Sequence, residues 1–125
     1  MLGTGAEAGR LIRTIDSPAL RAIWDPGNAF FAGETPFPDG YRDVAGRMIH
    51  LHVKDAVRRP DGEAAWAIVG EGEIDYRGQF RALVADGYEG GISLETHYRP
   101  ASGSPEEGSR LCLQGMLRLL REARA

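Results

Sequence analysis

Apolar residues along this chain change their spacing several times, and each change marks an element. Ala8, Leu11, Ile12 and Ile15 recur at helical spacing behind Thr4 and Glu7, a capping box, so a helix is predicted that stops near Asp16 at "DSP". A short strand, "LRAIWD", follows and is broken at once by "PGN". The segment 29–40 is rich in Gly and Pro and reads as a loop, with a short helix from about Pro38 to Ala45 after it. In "MIHLHV", residues 48–53, strict alternation predicts a strand with Ile49, Leu51 and Val53 on one face and Met48, His50 and His52 on the other, where Lys54 follows. A polar stretch, 54–73, leads to Asp75, the N-cap of a helix that buries Phe80, Leu83 and Val84 and stops at Gly87. "GISLE" is a third strand, ending at Glu95. Ser104, Pro105 and Glu107 open a last helix, with Leu113, Met116, Leu117 and Leu120 as its buried stripe.

Helices alternating with strands predict an α/β layer of parallel strands joined by helical crossovers. Three strands make a narrow sheet with two open edges, so the chain is expected to be part of something larger. Its 125 residues are read as a single partial domain, 1–125.

Composition changes this picture little. The formal charge of −3 offers no basic footprint for a phosphate backbone, so nucleic acid is not expected as a partner. No apolar run is long enough for a membrane span or a signal-peptide core, and no membrane partner is expected. Cys112 is the only cysteine, which excludes an internal disulfide and a cysteine-cluster metal site and makes a reducing, cytoplasmic setting the default.

Chemistry gathers at the strand ends. The first strand stops at Asp25, the second passes His52 and the third stops at Glu95, each off the face that packs on helices. In parallel α/β folds the C-terminal strand ends line the site. Two carboxylates and an imidazole suit one divalent ion such as Mn²⁺, Mg²⁺, Co²⁺ or Zn²⁺. Each residue alone has a plainer account: Asp before "PG" starts turns, and a lone strand histidine is more often a packed or surface residue. The case for a site rests on all three strands carrying such a group at the same end.

The segments "WDPGN", "HLHVKD", "GEGEIDY" and "SLETH", in that order, resemble the sugar phosphate isomerase/epimerase family, the xylose-isomerase-like TIM barrels. The resemblance runs from the first helix to the last and corresponds to the C-terminal half of the barrel. It implies a partial (β/α)8 barrel of about three parallel strands with four helices. It implies that Asp25, His52 and Glu95 are three of four metal ligands, and that Glu95 doubles as an acid/base. His50 is then a group beside the ligands or facing substrate, and Asn28 falls where many relatives carry a substrate-contacting histidine. Arg58 is similar in position to an arginine used on substrate oxygens, and Lys54 and Asp55 complete the "HxHxKD" pattern, Lys54 on the substrate side. His97 is expected to face solvent. The fourth ligand and second acid/base, a glutamate ending the strand before the first helix, has no counterpart here.

The implied activity is metal-dependent isomerisation or epimerisation of a sugar or sugar phosphate, by proton transfer through an enediolate. The partners implied are that small molecule and either a second copy or the missing N-terminal half, without which the chain is expected to be inactive. Inosose dehydratase and hydroxypyruvate isomerase share the motif set. A non-catalytic fragment needing a partner chain is a further alternative. An endonuclease IV-like repair enzyme is disfavoured because the loop after the second strand holds no histidine. "GEGE" lacks the Lys-Ser/Thr ending of a phosphate loop.

Overall fold

In a computed structural model, residues 3–101 and 103–125 are described. Helix α1 (Gly5–Ile15) leads to strand β1 (Ala22–Trp24), and helix α2 (Pro26–Phe31) starts one residue later. An irregular helical turn, Pro36–Gly40, then runs into the short helix α3 (Tyr41–Val44), and a further tight turn, Ala45–Arg47, delivers strand β2 (Met48–Val53). Strands β3 (Asp55–Arg58) and β4 (Ala64–Ala67), helix α4 (Tyr76–Ala85), strand β5 (Gly91–Leu94) and helix α5 (Pro105–Arg124) complete the order.

Strands β1, β2 and β5 form a parallel sheet with β2 in the middle. The register pairs Trp24 with Leu51 and Leu51 with Ile92, which sets these three on the face that packs against helices. Ile23 pairs with His50, and Ser93 with His52, which sets them on the opposite face. Leu51 and Val53 are fully buried, as the alternation predicts, whereas Ile49 is half exposed and Met48, expected on the His50 face, is buried opposite Ala22, because the pairing with β1 shifts register between Ala22 and Ile23. Ile23 is 62% exposed because the face it shares with His50 has nothing packed on it among the described residues. The three strands, their parallel sense and the flanking helices are those of a partial barrel wall.

Three further sequence expectations need correction. The loop assigned to 29–40 holds the end of α2 and the turn Pro36–Gly40. The polar stretch 54–73 holds an antiparallel hairpin, β3–β4, in register Asp55 with Ala67 and Arg58 with Ala64. Its turn is "RPDGE", in which Gly62 takes φ 87° and the Arg59 N–H bonds to the Glu63 carbonyl at 2.8 Å. The third correction concerns helix faces. On α1 the packed residues are Gly5, Gly9 and Ile12, while Leu11 and Ile15 are exposed. On α5 they are Cys112, Gly115, Met116 and Leu119, one position before the stripe at 113, 116, 117 and 120, and Leu113 and Leu117 are exposed. Glycine decides both. A Cβ at Gly115 would stand 1.9 Å from the Val69 carbonyl oxygen, and one at Gly5 would stand 2.3 Å from that of Gly40, so each helix turns its glycines to the closest approach. Val84 of α4 is likewise exposed, and Gln79, fully buried, takes the Trp24 indole N–H at 3.0 Å instead.

Candidate metal centre

The site is built where strands end and helices begin. Asp25 directly follows β1 and is the N-cap of α2, so its Oδ1 accepts the Asn28 backbone N–H at 2.9 Å. That bond fixes the carboxylate and leaves Oδ2 turned toward β2. His52 is the last but one residue of β2, on the open face, and Glu95 follows β5, its N–H continuing the ladder to the Val53 carbonyl at 3.0 Å. The three side chains converge. His52 Nδ1 stands 3.6 Å from Asp25 Oδ2 and 3.4 Å from Glu95 Oε2, and one ligand atom from each residue lies within 4.8 Å of the others. Atoms bound at about 2.1 Å to a common ion are separated by roughly 3.0–3.5 Å, so the donor set fits a divalent cation with little adjustment.

Lys54 lies between the carboxylates of Asp25 and Glu95. It was expected among the substrate groups, yet it is 5% exposed and its ammonium bridges the two carboxylates, 2.8 Å from Asp25 Oδ2 and 2.6 Å from Glu95 Oε2. Several features hold it there. Its stem crosses Gly27, where a Cβ would come within 2.5 Å of Lys54 Cγ. Its backbone is clamped by Tyr76, whose hydroxyl accepts the Lys54 N–H at 3.1 Å and donates to the Lys54 carbonyl at 2.8 Å. Burial alone would lower the ammonium's pKa, but the hydrogen bonds to Asp25 and Glu95 outweigh it and leave it above its ordinary value. In return the bond from Lys54, with help from His97, holds the Glu95 carboxyl below the usual carboxylate range, against partial burial.

The remaining expected residues are placed as follows. His50 shares the open face with His52, the rings edge to face at 5.3 Å, and its Nε2 bonds Ser93 Oγ at 2.8 Å. Asn28 is exposed in the first turn of α2, beside Asp25. Arg58 is not brought to the triad: its guanidinium donates to the Phe30 carbonyl at 3.1 Å and stacks over the Phe30 ring, tying the hairpin to α2. His97, expected simply to face solvent, is half exposed but has its Nε2 3.4 Å from Glu95 Oε1 and its ring stacked on Trp66 at 4.7 Å. Trp66 stacks on Phe31 too, at 4.1 Å, and its ring centroid is 5.5 Å from the Lys54 ammonium. This aromatic flank was missed because it stands on β4; the "PDG" turn followed by "AAWAIV" was the available signal for that hairpin.

Fold and site together define the class: this chain belongs to the xylose isomerase-like TIM barrel family, whose model matches residues 1–119. It is 28% identical to an inosose dehydratase of Lacticaseibacillus casei over 126 aligned positions, covering 85% of this chain and 41% of that protein. A xylose isomerase-like TIM barrel protein from Mycobacterium smegmatis, solved in complex with magnesium, superposes with a TM-score of 0.72 at 25% identity, over 98% of this chain and 41% of that one. An L-ribulose 3-epimerase superposes with a TM-score of 0.69 at 18% identity, over 98% of this chain and 43% of that one, a likeness of fold. The chain spans about two fifths of the length of the relatives it matches. Among the described residues no helix is long and apolar enough to cross a membrane.

Proposed function

We propose that this chain supplies the metal-binding part of a barrel enzyme that moves a proton at a carbon next to the carbonyl of a polyhydroxylated ketone. The observation that carries the reading is the convergence of Asp25, His52 and Glu95 at three neighbouring strand ends. A divalent ion such as magnesium, when bound, would polarise the substrate carbonyl and so lower the cost of enediolate character. Asp25 and His52 would hold that ion, and Asp25 is preset by its cap on α2. Glu95 turns Oε2 into the ligand set and keeps Oε1 toward His97, where it accepts and returns the substrate proton. His50 and Asn28, on the open face and beside Asp25, meet substrate oxygens, whereas Lys54 commits two of its three N–H donors to the carboxylates it bridges.

The substrate class is a ketose, its phosphate or an inosose. The likeness to inosose dehydratases favours the last. In that case the proton leaves the carbon next to the ketone and hydroxide leaves the neighbouring carbon with a proton, as water. In an isomerase or epimerase the proton returns to carbon instead.

Calorimetric titration with Mn²⁺, Mg²⁺, Co²⁺ and Zn²⁺ tests the centre. The chain is expected to take up one equivalent, and His52→Ala and Glu95→Gln each to bind at least about tenfold more weakly. Equal binding by all three proteins would remove the basis of the proposal.

A further inference from the structure

The oxygens that face His52 are already occupied by a cation belonging to the chain. Asp25 Oδ2 and Glu95 Oε2, the atoms nearest His52 Nδ1, are the same two atoms that Lys54 Nζ contacts at 2.8 and 2.6 Å. Surface lysines visit carboxylates transiently and contribute little. Lys54 differs because it is buried, its stem is accommodated by Gly27, and its backbone is bonded on both sides to the buried Tyr76 hydroxyl. Without that ammonium two carboxylates would face each other beside an imidazole, a repulsion that would spread the ligands apart. With it they stay gathered. A divalent ion drawn to the same oxygens meets a unit positive charge within ångströms of its own position.

We propose that Lys54 is a resident cation of the site, holding the ligand carboxylates together in the metal-free protein and displaced from them when the ion binds. This rests on the metal reading above and adds a competitor to it. The Trp66 ring centroid already lies 5.5 Å from the ammonium, a cation–π contact that Lys54 can keep on leaving the carboxylates, and Trp66 is fixed by stacking on Phe31 and His97. The cost of displacing Lys54 is subtracted from metal affinity. The site therefore binds its ion more weakly than its three ligands alone would allow, and trades one cation for another rather than opening into an empty anionic cleft.

Two measurements on wild type and Lys54→Met, Mn²⁺ affinity and thermal midpoint with and without Mn²⁺, test this in a crossed design. Removing the competitor should tighten Mn²⁺ binding by roughly tenfold or more. The metal-free variant should melt below wild type, and saturating Mn²⁺ should close or invert that difference. Lys54→Arg, which keeps the charge, should bind Mn²⁺ no more tightly than wild type. Lys54→Gln, which keeps a donor without the charge, serves if Lys54→Met is too unstable to titrate, and should bind more tightly. The emission of Trp24 and Trp66 reports that each variant is folded. If wild type binds one ion, Glu95→Gln does not, and the neutral Lys54 variants bind no more tightly than wild type, the competitor is refuted and the metal centre stands. If wild type binds no ion at all, the metal centre fails and the proposal with it.

Discussion

Asp55 follows Lys54 directly yet turns its carboxylate away from the metal centre, into the loop before α4. Oδ1 accepts the N–H groups of Ala56 and Ile74, and Oδ2 those of Gly70 and Gly72. Burial pushes the carboxyl's pKa above its ordinary value, while those N–H groups pull it back. "HVKD" is thus two devices on adjacent residues, a cation for the site and an acceptor for the loop that leads to Tyr76, the clamp on Lys54. Asp25, His52 and Glu95 are legible in the sequence as candidate ligands, because a candidate is recognised by its chemistry and its place at a strand end, and the fold brings the three together. The contacts of Lys54 and His97 are not legible there, because they depend on which neighbour each long or rotatable side chain reaches. Asp55→Ala should leave backbone N–H groups around Gly70 and Ile74 unpaired in a largely buried loop and cost about 3 kcal/mol or more. Denaturant unfolding checks this, and a loss below about 1 kcal/mol would mean that the loop is held by something else.

At the scale of elements, caps were legible and packed faces were less so. Thr4, Asp75 and Ser104 all accept the backbone N–H expected of an N-cap, because capping depends on a few consecutive residues. Which stripe of α1 or α5 is buried depends on what it meets, and the close contacts at Gly5 and Gly115 outrank the extra apolar residues of a rival stripe. The start of α1 also carries an acceptor that no local pattern announces: Glu34, from the segment after α2, takes the N–H groups of Gly5 and Ala6 at 2.7 and 3.0 Å. Glu7 closes the capping box by accepting the N–H groups of Gly3 and Thr4, and those bonds hold its carboxyl below the ordinary value of 4.5. A carboxyl lowered on folding stabilises the fold fully above its unfolded pKa, and the contribution disappears as pH falls through the folded pKa. Glu7→Gln should therefore lower the melting temperature at neutral pH, and the gap from wild type should narrow as pH falls below the ordinary carboxyl value of 4.5. A gap that stays constant through that range would show that the charge on Glu7 does not support the cap.

Across the whole molecule the sheet stops short. β1 and β5 each pair only with β2 among the described residues, where a closed barrel of this family has eight strands. Ile23, Leu11 and Ile15 are left exposed on the β1 side, which is how a wall looks when its neighbours are absent. The proposed ligand set needs only these three adjacent strands; the proposed substrate pocket has its far side in the part of the relatives' length that this chain does not span. Proton transfer that ends at a new place needs an acid or base across the substrate from Glu95. The nearest other carboxylate, Asp25, has one oxygen on the Asn28 N–H and the other on Lys54, so both are already engaged. Loss of the pocket wall removes positioning as well, and groups that act as a unit lose most of their rate when one is missing. The chain alone, given Mn²⁺ and an inosose or ketose in deuterated water, should therefore show no appreciable deuterium at the carbon next to the carbonyl. Supplying the first half of a related barrel, fused or in trans, should bring wash-in that a chelator abolishes and Glu95→Gln removes. Robust, chelator-sensitive wash-in by the chain alone would place the complete acid/base machinery on these three strands and require a partner for Glu95 among the residues already described.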